Sequence, residues 1–427
     1  MTTVMLLGTL DTKGEEYGFV RDHLHAQGIE TLVIDAGVLD APTLEADISR
    51  EEVAQAAGAH LARLASDRDR GAAIDAMMGG ARKLVTPLVA RGGVHGIFGM
   101  GGSGGSTLIS GVMRDLPVGF PKLLVSTVAS GDTRPYVGAS DISMMSSIVD
   151  ISGINQLSER VLTNAAGSIA GMAKACESFV SVTERKPVIG ATMFGVTTPC
   201  VTIARKRLEA LGYEVLVFHA TGVGGDTMEA LVRTGVITGV LDTTTTELAD
   251  SLVGGALPSG PERLETAGSL GLPQVVSLGA LDMVNFGPLG SVPERFRNRR
   301  LHRHNASITL MRTTAEENAE LGRIIARKLN QATGPVTLFV PKNGVSMIDV
   351  EGQPFFDAEA DSALFGAVLD GINVNVGVQE HETHINDPAF ATAMADELDR
   401  LYRDWSANRG ESPQFRERNQ SNGSETQ

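Results

Sequence analysis

Short apolar runs alternate with longer amphipathic stretches along the chain. Val4-Met-Leu-Leu7 is followed by a polar turn, Gly8–Gly14, and by helical spacing from Glu15 to Gln27; Thr31-Leu-Val-Ile34 is the next run. Helical patterns near 51–57 and 71–91 lead to a run at 94–98, a helix at 106–114 and a run at 122–127. These runs are too uniformly apolar to have a solvated face. Alternating with helices, they predict parallel strands covered on both sides. Asn155–Ser178 predicts a long helix closing a first domain over 1–182, and Thr183-Glu-Arg-Lys-Pro187 predicts a linker.

The pattern then begins again. Strands are expected at 188–194, 212–218, 237–241, 274–278, 307–311, 335–340 and 373–376, with a helix over 200–211, giving a second domain over 187–405. Gln27-Gly-Ile-Glu-Thr-Leu-Val-Ile34 is echoed by Leu211-Gly-Tyr-Glu-Val-Leu-Val-Phe218. The expected fold class is therefore α/β: two doubly wound, mostly parallel-sheet, Rossmann-like domains, with an ancient duplication as one origin of the likeness. Residues 406–427, polar and aperiodic, predict a disordered tail.

Composition narrows the function classes. The chain has 427 residues, 49 of them glycine, and a formal net charge of −15, which argues against a general nucleic-acid or anionic-membrane surface. Its two cysteines, Cys176 and Cys200, lie far apart and form no CxxC pattern, as suits a reducing cytoplasm. The N-terminus lacks a basic, apolar leader pattern, and no apolar run approaches membrane-spanning length.

The densest chemical signal is Gly99-Met-Gly-Gly-Ser-Gly-Gly-Ser-Thr107, between a predicted strand and a predicted helix. It matches the dinucleotide spacing GxGxxG, but the next strand ends in Ser-Thr without the acid a nicotinamide site needs. It also nearly matches the phosphate loop GxxxxGK[ST], with glycine in place of lysine, so the cation must come from elsewhere. Gly101, Gly102, Ser103, Gly104, Gly105, Ser106 and Thr107 are the candidate phosphate cradle, expected to need positive φ and bare backbone; the alternative is a packing turn. Two further loops are expected at the same sheet edge. One offers Thr9, Asp11, Thr12 and Lys13; the other, over 129–141, offers Asp132, Arg134 and Asp141. Lys13 and Arg134 suit phosphate oxygens, and the aspartates suit Mg²⁺ or ribose hydroxyls, with Asp141 equally readable as an N-cap.

These motifs, with TLDTKGEE, GDTRPYVGASDI, NQLSERVLTNAAGSIAGM, GVTTPCV, HATGVGGDTMEAL, LDTTTTELAD, GALDMVNFGP and HINDPAF, resemble the ATP-binding family named for the tomato mosaic virus resistance protein. The resemblance covers about residues 2–400. It implies two α/β domains, ATP in the N-terminal one and a homodimer. In the plant protein the region precedes a TIM-barrel domain; for this chain the resemblance leads us to expect the stand-alone form of the bacterial relatives.

The second domain carries its own polar segments: His219–Glu229, the threonines Thr243–Thr246, Asp282, the arginine run 295–303, and His381 and His384 with nearby acids. The histidines are one candidate for a transition metal, the arginines for an anion or a solvated loop, and Cys200 for a helix-start thiol of lowered pKa or a buried one. Two functions fit. One is an ATP-binding protein acting with a small anionic metabolite; the other is a regulatory nucleotide-binding module partnering a separate TIM-barrel protein.

Overall fold

The computed structural model describes residues 1–180 and 186–410. The chain divides into two units, Met1–Thr183 and Glu184–Gln427. The expected linker falls largely outside the described residues.

The first unit runs β1 (Thr3–Gly8), α1 (Leu10–His25), β2 (Glu30–Asp35), α2 (Arg50–Ala57), α3 (Leu61–Asp67), α4 (Arg70–Ala90), β3 (Gly96–Gly101), α5 (Ser103–Met113), β4 (Lys122–Ser126), α6 (Arg134–Val137), β5 (Ser143–Ser146) and α7 (Gln156–Glu177). Its sheet has the order β2-β1-β3-β4-β5, every pair parallel. Residues 4–7 of β1 are fully buried because both faces are covered. Val4 and Leu6 pack with Tyr17 and Val20 of α1 and Leu162 and Ile169 of α7. Met5 and Leu7 pack on the opposite face with Met77 and Val85 of α4 and Ile109 of α5. Helix starts follow local chemistry: Ser49 and Glu52 form a capping box for α2, and Asn155 and Ser158 form one for α7.

Three boundaries differ from expectation. Helix α1 begins at Leu10, so most of the turn predicted over 8–14 is helical. Strand β3 continues through Gly101, and α5 begins at Ser103, so the glycine-rich stretch is mostly strand end and helix start. Residues 142–149, read as a segment capped by Asp141, contain β5.

The second unit runs β6 (Val188–Met193), α8 (Thr198–Ala210), β7 (Glu214–His219), α9 (Val223–Arg233), β8 (Gly239–Thr244), α10 (Glu247–Val253), α11 (Thr266–Ser269), β9 (Gln274–Gly279), β10 (Met283–Phe286), β11 (Leu301–Arg303), β12 (Thr309–Arg312), α12 (Ala315–Leu329), β13 (Val336–Pro341), α13 (Ala358–Gly371), β14 (Gly377–His381) and α14 (Pro388–Gly410). Six strands form a parallel sheet, β7-β6-β8-β9-β13-β14. The run expected at 307–311 becomes β12, the centre of a separate antiparallel sheet with β10 and β11. The last strand begins at Gly377, not at 373, where Val374 is fully exposed. Helix α14 continues through Gly410, overlapping the start of the expected tail; residues 411–427 lie outside the described ones.

Both parallel sheets place the second strand outside the first and then step to the third across it. Gly28 and Gly212, the glycines of the repeated sequence pattern, both have positive φ, 73° and 101°, and each turns a helix into the outer strand. Among the described residues no helix is long and apolar enough to cross a membrane.

Candidate functional site

In a doubly wound sheet, neighbouring strands whose helices leave on opposite faces open a crevice at their carboxyl ends. In the first unit those strands are β1 and β3. Tyr17 closes its floor: the hydroxyl donates to Leu7 O at 2.6 Å and accepts from Met100 N at 2.7 Å, tying the two strand ends together. Burial raises the Tyr17 phenol, keeping it a neutral donor. A Cβ on Gly8 would stand 2.2 Å from its ring, which accounts for that glycine.

Above this floor is a cleft of about 860 Å³. Thr9, Asp11, Thr12 and Lys13 line one side, and Gly101, Gly102, Gly104 and Gly105 the other. The remaining wall comes from the end of β2, the α3–α4 region and the loop after β5: Val38, Leu39, Leu64, Ile74 and Met77 are apolar, Arg68 and Arg70 cationic, and Asp40, Asp69 and, from the loop after β5, Asp150 acidic. The cleft therefore has an apolar wall beside a bare helix start and three cations.

The glycines divide by role, and none from 99 to 105 has positive φ, contrary to expectation. A Cβ on Gly99 would meet Ile109 Cγ2 at 2.5 Å, and one on Gly101 would meet Gly105 Cα at 3.0 Å, so these two let α5 lie against β3. A Cβ on Gly102 or Gly105 meets nothing closer than 3.7 Å, and one on Gly104 meets the Arg70 guanidinium at 2.9 Å. Gly102 occupies the N-cap with no side-chain cap bond, leaving the first N–H groups of α5 without the partner a Ser or Asp would supply.

Other candidates stand elsewhere. Ser106 is fully buried and shares a 2.6 Å hydrogen bond with Ser126, so it braces α5 against β4. Ser103 and Thr107 are exposed and outside the cleft lining; Thr107 Oγ1 donates back to Ser103 O at 2.9 Å. Asp132 and Arg134 are exposed and paired with each other at 2.7 Å, a bond that pulls the Asp132 carboxyl down to about 2. They do not line the cleft. Asp141 lies at the opposite edge of the sheet, because α6 carries the chain back to the amino end before β5 starts. There its carboxylate pairs with the buried ammonium of Lys122 and accepts from Gly119 N at 2.7 Å. Burial works to raise the Asp141 carboxyl, but these partners hold it below its ordinary value.

Parts of TLDTKGEE are structural. Lys13 Nζ donates to Ile151 O, and Glu16 accepts from Gly153 N at 2.7 Å, anchoring the loop before α7. Asp11 accepts from Leu39 N at 2.9 Å, while its other oxygen is buried without a hydrogen-bond partner. Asp35 was not singled out by the sequence. It accepts from Leu10 N at 3.0 Å and Gly37 N at 2.8 Å, and burial raises its carboxyl despite those bonds.

Polar groups of the second unit are mostly internal. All four of Thr243–Thr246 are fully buried. Thr244 N donates to Thr192 Oγ1 at 2.9 Å, and Thr245 Oγ1 donates to Ser277 O at 3.2 Å. Arg263, fully buried, donates to Asp242 at 2.7 Å and Glu247 at 2.6 Å, with Glu229 3.6 Å away. A second buried cluster joins Arg312 to Asp349 at 3.1 Å and to Asp361. Asp282 beside it accepts from Ser346 Oγ at 2.8 Å. Burial raises Asp282 to about 6 and Asp349 to about 9. In the arginine run, Arg299 pairs with Glu317 at 2.7 Å, both side chains partly buried. His381 stacks on Phe339 at 5.3 Å, and no group of three metal-ligating side chains is gathered among the described residues. Asn386 caps α8 by accepting from Cys200 N at 3.2 Å. Burial pushes the Cys200 thiol up to about 12, so it is a core group and not an activated one.

Comparison with known proteins adds the family. Residues 2–178 match the model described as Uncharacterised protein family (UPF0261) N-terminal domain, and residues 186–402 match the corresponding C-terminal domain. The chain belongs to the UPF0261 family. A UPF0261 protein of Clostridium tetani is 52% identical over 396 residues, covering 92% of this chain and 98% of the relative. One from Rhizobium meliloti is 47% identical over 395 residues, covering 92% and 97%. The ToMV resistance protein Tm-1(GCR237) of Solanum lycopersicum is 41% identical over 414 residues. That alignment covers 92% of this UPF0261 chain but 55% of the tomato protein. None of these descriptions names a ligand. A solved RcsC C-terminal structure from E. coli aligns over 94% of this chain and 96% of its own at 9% identity, with a TM-score of 0.21.

Proposed function

We propose that this UPF0261 protein binds ATP or a closely related nucleotide in the cleft of its first unit and acts with a small anionic metabolite. The observation that carries the reading is the convergence of Gly102, Gly104 and Gly105 at the start of α5 with the Thr9–Lys13 turn across the β1/β3 crevice. Backbone N–H groups at a helix start favour an anion, and the bare glycines let phosphate oxygens approach. The apolar wall of Leu64, Ile74 and Met77 suits a base, and Lys13 suits a phosphate oxygen.

The donor set also fits Mg²⁺ delivered with the nucleotide. Such ions are held by one or two carboxylates plus phosphates and water. Asp11 lines the cleft and has a buried oxygen without a partner. When bound, the ion would neutralise phosphate charge; Asp11 would orient it, and Lys13 and the α5 start would hold the oxygens. As in the family resemblance, the active assembly is a homodimer. The test is calorimetric titration of the full chain with ATP, ADP and AMP in Mg²⁺. Binding at one nucleotide per chain supports the reading; no heat and no shift in melting temperature at millimolar ATP overturns it.

A further inference from the structure

The glycine-rich stretch resembles a phosphate loop whose lysine is missing. We propose that Arg70, assisted by Arg68, is the replacement cation, so that the α3–α4 junction forms a polyphosphate clamp opposite the start of α5. The proposal rests on the nucleotide reading of the cleft and assigns its phosphate-recognition side.

Four observations converge on Arg70. It lines the cleft together with Arg68. Its guanidinium lies over the first turn of α5, with Nη2 2.9 Å and Nε 3.5 Å from where a Cβ of Gly104 would stand. Both arginines are exposed, and neither has a hydrogen bond or ion pair to another described residue. The acid between them is engaged elsewhere: Asp69 caps α4 by accepting from Ala72 N at 3.0 Å.

The electrostatics of this arrangement favour a polyanion. Arg70 is the first residue of α4, so it sits at the positive end of its own helix dipole while pressed against the positive end of α5. Arg68 adds a third source of positive potential and takes a left-handed backbone, φ 52°, unusual for a residue with a side chain. Arg68, the C-cap of α3, and Arg70, the first residue of α4, thus bring two unpaired guanidiniums to one cleft. A di- or triphosphate supplies the counter-charge that both lack, with the planar Arg70 fork matching two phosphate oxygens. Arg70 is thus a binding residue whose removal costs the ligand and not the fold.

The test titrates ATP, ADP, AMP, adenosine and inorganic tripolyphosphate into the full chain and its Arg70→Ala, Arg70→Lys and Arg68→Ala variants, and follows the melting temperature of each without ligand. Arg70→Ala is expected to weaken ATP and tripolyphosphate at least about tenfold, ADP less, and adenosine within about twofold. Arg70→Lys recovers part of the loss, and Arg68→Ala gives a smaller loss. The ligand-free melting temperature of Arg70→Ala is unchanged or raised. Equal losses for ATP and adenosine, or a lowered melting temperature that accounts for the loss, would overturn the assignment. ATP binding that Arg70→Ala leaves intact overturns the clamp but not the nucleotide reading. Arg70-dependent tripolyphosphate binding with no ATP binding overturns the nucleotide reading but not the clamp, and no binding of either ligand overturns both.

Discussion

Gly99 and Gly105 belong to one glycine-rich stretch and answer to different constraints. A methyl group on Gly99 collides with Ile109 at the α5–β3 contact, whereas one on Gly105 faces the cleft with 3.8 Å to Met100 O. Gly99→Ala should therefore cost about 1–3 kcal/mol in denaturant unfolding, as overpacking does. Gly105→Asp should leave stability unchanged or raise it, because an acid in the first turn of a helix is favourable by about 0.3–1 kcal/mol. The same charge stands where phosphate is proposed to sit, so ATP affinity should fall at least about tenfold. Arg134→Ala should leave ATP affinity unchanged, since Arg134 is exposed, paired with Asp132 and outside the cleft. Sequence spacing made the glycines conspicuous but could not separate packing from approach, because both demand a missing Cβ. It could not reveal Arg68 or Arg70 either: no motif surrounds them, and only the return of α4 over α5 brings them to the loop.

Strands and helices were readable where burial on both faces made the apolar run continuous, as at Val4–Leu7. They were misread where a partner outside the run decides the outcome. Gly99–Gly101 continue β3, with Ile109 of α5 against Gly99 and Gly105 against Gly101, although glycine is poor in strands. Asp141 was placed at the wrong edge because a short helix, α6, reverses the chain before β5. The buried clusters at the strand ends of the second unit likewise depend on tertiary approach. Removing Arg263 by Arg263→Ala leaves Asp242, Glu247 and Glu229 buried without their cation, and should destabilise the chain by about 3–5 kcal/mol or prevent folding. Asp282 and Asp349 hold protons in the folded chain that an unfolded chain releases near pH 4. With folded values of about 6 and about 9, stability from this cluster is greatest in acid and falls as pH rises toward 9. Unfolding midpoints measured from about pH 6 to about pH 9 should decline, and Asp349→Asn should flatten that decline. A decline of equal slope in the variant would assign it to other groups.

Across the full chain, the repeated strand order accounts for what the pattern of runs conveyed. Each unit is a doubly wound parallel sheet, and Gly28 and Gly212 mark corresponding turns in the two. The antiparallel sheet of β10, β11 and β12 is the departure: its strands lie along the chain between β9 and β13, which pair directly in the second parallel sheet. If the active assembly is a homodimer, light scattering at micromolar concentration should return twice 44.9 kDa; a single 44.9 kDa species would contradict it. Nucleotide capture at the β1/β3 crevice of the first unit is the claim on which the functional account turns. Its most direct test is the calorimetric titration of MgATP into the full chain and into Gly105→Asp, with unfolding followed on the same samples. The account predicts one ATP bound per wild-type chain, an affinity loss of at least about tenfold in the variant, and no loss of stability. Equal affinity in the two proteins, or loss of affinity only in step with loss of stability, would contradict it.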